Sequence, residues 1–204
     1  MKLISAFLAT AFASMSLLAS SFFVSVDTSA LSGGTTGFLD LQFNGSGILT
    51  PAGTATVTNF LGSQFDVDPS QAMVAGAVSG NLIPGPLEFQ NADVFNDYFV
   101  PFQVTGSASN FSFLVTIAGD ILDPPAGNLN GTDFALLLLG ADQMTPLLTN
   151  DGVLALIAVA ATGDVSASAF EPGAIATGVP EPTTIMLVLS GLLLVIPLMR
   201  KVKN

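Results

Sequence analysis

The chain has 204 residues, 50% of them hydrophobic, and a net charge of −11 from fifteen acidic and four basic side chains. All four basic residues, Lys2, Arg200, Lys201 and Lys203, lie at the two ends, and there is no histidine, so residues 3–199 carry no positive side chain. This excludes nucleic acid as a partner, because nothing in the body neutralises phosphate; the absence of cysteine excludes a disulfide scaffold and metal sites of the Cys/His kind.

Met1 and Lys2 form a minimal positive start, and residues 3–18 are apolar and rich in Ala, Leu and Phe. Ala19-Ser20-Ser21 then places small residues at the positions signal peptidase reads. Residues 1–21 therefore read as a signal peptide cut after Ser21, with a cut after Ala30 as the alternative. The apolar run is short for a second membrane helix.

Residues 22–172 read as a mainly β, exported domain. Residues 22–26 are a short β-rich run. Residues 38–43 alternate, with Leu39, Leu41 and Phe43 on one face and Asp40 and Gln42 on the other, and Asn44-Gly45 follows as a turn dipeptide. Residues 54–61 alternate again, setting Ala55, Val57 and Leu61 against three threonines. Residues 73–78 and 93–104 are further candidates, the second an edge or bent strand because of Pro101. In residues 111–118, Phe111, Phe113, Val115 and Ile117 share one face. Residues 134–139 and 153–160 are nearly all apolar, as in strands buried on both faces, and residues 165–170 close the set. About eight short strands separated by Gly, Pro, Asn and Asp clusters predict a single β-sandwich-like domain. Residues 173–179 read as a flexible linker.

Glu181 is the one acidic residue beyond the linker, so the other fourteen fall between Asp27 and Glu171. Ion pairs cannot form among side chains of one sign, and stability must come from apolar burial and backbone hydrogen bonds. Crowded carboxylates repel one another, which predicts raised pKa values and greater stability at about pH 5 than at pH 7.

The inventory of catalytic groups is thin. Without His or Lys, a nucleophile in the body has only carboxylates for a base, and no G-x-S-x-G occurs. Carboxylate pairs suited to glycoside hydrolysis are Asp66 with Asp68, Asp93 with Asp97, and Asp120 with Asp123. There is no Trp and one Tyr, Tyr98, to supply aromatic platforms for a sugar. The expectation is a non-enzymatic protein whose loop carboxylates keep it soluble. One loop, GDILDPPAGNLNGTD, is rich in hard oxygen donors, with Asp120, Asp123 and Asp133 as its carboxylates. Its spacing is not that of an EF-hand, and Asx-rich loops commonly form turns, so no metal is assigned and calcium stands only as an alternative.

The last residues, VPEPTTIMLVLSGLLLVIPLMRKVKN, hold three parts in order: Pro180-Glu181-Pro182, an apolar run over residues 183–199, and the basic cluster Arg200, Lys201 and Lys203. A helix over the run spans roughly 25 Å, slightly under the hydrocarbon core of a bilayer, and basic residues that snorkel cover the difference. The basic end stays cytoplasmic under the positive-inside rule, and the prolines keep the triplet extended outside the membrane.

This array over residues 179–204 resembles the PEP-CTERM sorting signal of bacteria. The resemblance implies an exosortase partner that recognises the tail and processes it near the triplet, and association with exopolysaccharide or biofilm. Pro197 and the mixed RKVKN ending depart from the usual run of arginines. VSVDTSALSGGTTGFLDLQFN followed by TATVTNFLG resembles the start of one group of PEP-CTERM cargo proteins, whose mature chains open on a V-D-T-S strand. That favours the cut at Ser21; the group implies no activity for any residue. The expected protein passes through the inner membrane, is first anchored by its C-terminal helix with the body outside, and ends at the cell surface or in the matrix. A ligand-binding or calcium-dependent adhesion module on the same anchor is the alternative.

Overall fold

The computed structural model describes residues 19–47, 49–170 and 173–179. The sorting triplet Pro180-Glu181-Pro182, the expected membrane helix, the basic cluster Arg200, Lys201 and Lys203, and most of the expected signal peptide lie outside the described residues. Among the described residues no helix is long and apolar enough to cross a membrane.

The domain is mainly β and consists of two antiparallel sheets. Its strands are β1 (Ala19–Asp27), β2 (Thr36–Gly45), β3 (Gly53–Ser63), β4 (Phe65–Val67), β5 (Met73–Ala75), β6 (Val78–Gly80), β7 (Leu87–Gln90), β8 (Asp97–Val104), β9 (Asn110–Gly119), β10 (Thr132–Gly140), β11 (Val153–Val159), β12 (Val165–Ala169) and β13 (Ala174–Val179). One sheet runs β13-β1-β9-β3-β7-β6; the other runs β12-β11-β10-β2-β8-β4, with β5 also on β8.

Alternation decides which face of each strand is buried. In β9, Phe111, Phe113, Val115 and Ile117 are almost fully buried, and in β2 so are Leu39, Leu41 and Phe43. Side chains of the two sheets belong to one apolar cluster. Phe134 of β10 meets Phe113 of β9 and Phe89 of β7 edge-on, with centroids 6.5 and 6.0 Å apart. Phe65 of β4 meets Phe111 of β9 at 4.6 Å. Each such side chain contributes roughly 1.5–3 kcal/mol by leaving water.

The structure corrects the expected strands at four points. Residues 173–179 are not a linker: β13 pairs with β1 from Ser21↔Val179 to Val26↔Ala174, and Ala174 is buried. The small residues of Ala-Thr-Gly hid a strand whose stability comes from its neighbour. The segment 93–104 forms a strand only from Asp97, because Asn96 bonds locally to the Asp93 carbonyl at 2.8 Å. Leu61 does not join Ala55 and Val57 in the core. Register slips between Thr58 and Leu61, Asn59 takes φ 56°, and the resulting bulge buries Phe60 and leaves Leu61 68% exposed. Finally, the described strands outnumber the eight expected, because short β4, β5, β6 and β7 are set by pairing more than by pattern.

Pro101 shows how a strand with partners on both sides accepts proline. It pairs with Phe38 of β2, while on the other side β5 covers residues 97–99 and β4 covers 102–104. Proline, which has no N–H to donate, falls in the gap between those two short ladders.

Candidate functional site

The carboxylates expected to pair along the sequence do not make a buried dyad. Asp66 lies exposed on β4. Asp68 caps the turn at Pro69–Gln71, accepting from the Ser70 N–H and hydroxyl and from Gln71 Nε2 at 2.6 Å. Those donors, the Ser70 hydroxyl first, hold its pKa below the ordinary carboxylate value. Asp93 is exposed in the turn before β8.

In the oxygen-rich loop the three carboxylates lie in different local settings. Asp120 opens a single 3-10 turn, and the Asp123 N–H bonds the Asp120 carbonyl. Asn128 is committed to the loop itself: its Nδ2 donates to the carbonyls of Asn130 and Ala161, and its Oδ1 accepts from the Asn130 N–H. Asp133 projects from β10 beside Asn44 and Ala158, where partial desolvation raises its pKa. Among the described residues Asp120, Asp123 and Asp133 do not gather into a group of three acidic ligands. Millimolar calcium should therefore leave the melting temperature of the full chain unchanged. A rise of more than about 2 °C would restore these residues as ligands.

The carboxyl groups that do meet come from different strands. Asp40 lies on the face of β2 away from the core, yet is only 5% exposed. In register it is flanked by Leu137 of β10 and Phe99 of β8, and Phe99 stacks on Phe38 with centroids 4.5 Å apart. Large apolar neighbours on both sides thus close over a short polar side chain. Asp97, at the start of β8, stands opposite Gln42 in the register and so lies diagonal to Asp40 on the same face of the sheet. Gln42 Nε2 donates to Asp40 Oδ2 at 2.7 Å, and Asn44 Nδ2 donates to Gln42 Oε1 at 3.2 Å, making a polar ladder along β2. The ladder ends on Asn96, whose N–H donates to Asn44 Oδ1 and whose Nδ2 donates to the Phe43 carbonyl, both at 2.8 Å. Oδ1 of Asp40 and Oδ1 of Asp97 are buried with no hydrogen-bond partner.

Burial is the first cause that raises the Asp40 pKa, to about 8, followed by the hydrogen bond and the charge of Asp97. Mutual repulsion, the cause expected from composition, comes last of the three. It does not raise carboxylates across the body: Asp27 and Asp142 are lowered, Asp142 to about 2, by nearby serine and threonine donors. The sequence pattern placed Asp40 on the face opposite Leu39 and Leu41 and assigned it no role. Its partner could be named only from the β2–β8 register.

An open groove of about 430 Å³ lies on the same sheet, lined in part by Phe38, Asp66, Asp68, Gln71 and Gln103. It presents carboxylate and amide groups beside an aromatic ring, and no basic side chain. Comparison with family models, curated proteins and solved structures finds no match to this chain.

Proposed function

We propose that this is an exported, non-enzymatic surface or matrix protein of a bacterium, whose C-terminal residues are a sorting signal read and processed by an exosortase. Its body is a β-sandwich formed by the two sheets, released from its signal peptide by signal peptidase and associated with exopolysaccharide. The ordered array of triplet, apolar run and basic end over residues 180–204 carries the reading. The register of the sheet supports it. Val179, the last residue before the triplet, pairs with Ser21, the last residue of the expected signal peptide. Antiparallel pairing puts the start of β1 and the end of β13 side by side, so the described body receives and returns the chain at one end of this sheet. The groove beside Phe38 suits a neutral or amine-bearing glycan, because an acidic polysaccharide would meet only like charge.

Mass spectrometry of the protein recovered from producing cells tests this. The expected polypeptide begins at Phe22 and ends near Pro180-Glu181-Pro182. An intact chain that starts at Met1 and stays in the cytosol would overturn the proposal.

A further inference from the structure

The carboxyl pair on the second sheet has a property that neither export nor sorting requires. Two buried oxygens, Oδ1 of Asp40 and Oδ1 of Asp97, lack a donor, and the register sets the two side chains diagonally on one face of the sheet, Asp40 opposite Phe99 and Asp97 opposite Gln42. Elsewhere such a pair would borrow Lys, Arg or His. Here residues 3–199 contain none, so no side chain of the body can neutralise it. Two ionised carboxylates in contact away from water are strongly disfavoured. What remains is a proton or a bound cation. A calcium ion takes six to eight oxygen ligands, and this site has two carboxyl groups flanked by Leu137 and Phe99. A proton needs only the two facing groups.

We propose that Asp40 and Asp97 hold one proton between them and form a latch that joins β2 to β8, closed while the proton is held and released when it is lost. The other groups around Asp40 do not titrate: Phe38 and Gln42 on β2, Leu137 on β10 and Phe99 on β8. Asp133, the one acidic residue of β10, sits opposite Asn44 at the far end of the ladder. Release acts first on the turn before β8. Asp97 begins that strand, and Asn96 beside it ties the turn to β2 and, through the Ala77 N–H, to the segment between β5 and β6.

The sign follows from where the proton is bound. Asp40 is protonated in the folded chain up to about pH 8, whereas its ordinary value is 3.8. Folding therefore takes up a proton between those limits. The stabilisation is complete below about pH 4, falls as pH rises, and is gone above about pH 8. No histidine or cysteine titrates in that window.

Thermal melts of the full chain in mild detergent between pH 5 and pH 9 test the latch. The melting temperature of the wild type should fall by on the order of 10 °C from pH 5 to pH 8 and then level off. Asp40→Asn keeps the acceptor for Gln42 and offers an N–H to Asp97, so its melting temperature should vary little over the range and exceed the wild type at pH 8. Asp97→Asn removes the facing carboxyl but leaves Asp40 buried, so its profile should be shallower than that of the wild type without becoming flat. In parallel, the ¹³C carboxyl signal of Asp40 in the wild type should titrate near pH 8. A flat wild-type profile, an unchanged slope in both variants, or an Asp40 signal that titrates below about pH 6 would each overturn the proposal. So would millimolar calcium that stabilises the wild type but not Asp40→Asn, which would make the pair a cation site. Should either variant not fold, the carboxyl titration decides alone. Every readout is independent of processing at the tail.

Discussion

Phe113→Ala should destabilise the domain by about 3–5 kcal/mol, the usual range for removing a buried phenylalanine. Phe113 is 1% exposed and stands at the centre of the aromatic contacts: Phe111 and Phe60 lie 6.3 Å from it, and Phe134 of the opposite sheet lies at 6.5 Å. Its loss leaves a cavity that rings on three strands cannot fill together, because each is held by its own backbone position. A domain of this size is stable by roughly 5–15 kcal/mol in all, so the change removes a large share. No disulfide or ion pair within the body offsets it. Urea unfolding followed by tyrosine fluorescence or circular dichroism measures the loss. The control is Phe23→Ala on β1, where the ring is 43% exposed and a change below about 1 kcal/mol is expected. If Phe113→Ala costs less than about 1 kcal/mol, the two sheets do not share this core.

Ending the chain after Gly173 in place of Val179 should lower stability by about 3 kcal/mol and promote aggregation. A flexible linker could be removed without effect. β13, however, pairs over six positions with β1, and Ala174 joins the buried cluster. Each lost backbone bond of such a ladder contributes on the order of 0.5–1.5 kcal/mol net, of which some returns as hydration. The larger consequence is exposure of β1 as a new edge. β1 carries Phe22, Val24 and Val26 in the core and presents unpaired N–H and C=O groups once β13 is gone, which is a template for pairing with another chain. Comparative unfolding and light scattering of chains ending at Gly173 and at Val179 would show the difference. Equal stability and equal solubility would mean that β13 is a passive extension.

Strands with a full alternating face were legible from residues alone. β9 and β2 stand where their patterns put them, and their large buried apolar residues are the predicted ones. The signal failed where the partner strand supplies the reason for the fold. In β13, Ala-Thr-Gly says little, and pairing with β1 makes it a strand. The bulge at Asn59 moved Leu61 out and Phe60 in, because one extra residue reverses every later side chain of a period-two pattern. Neighbouring carboxylates in the sequence turned out to cap turns, while Asp40 found its partner 57 positions on, across the β2–β8 ladder.

By itself the sequence determined what this body cannot contain: no cationic side chain, no disulfide, and hence no internal ion pair to hold it together. It determined the β class as well, because period-two alternation is a property of the chain. The tertiary structure decided which acidic side chains meet and which are solvated, and whether the segment before the triplet is tether or strand. These depend on register between strands far apart in sequence, and register is set by the joint burial of both sheets, which no single stretch encodes.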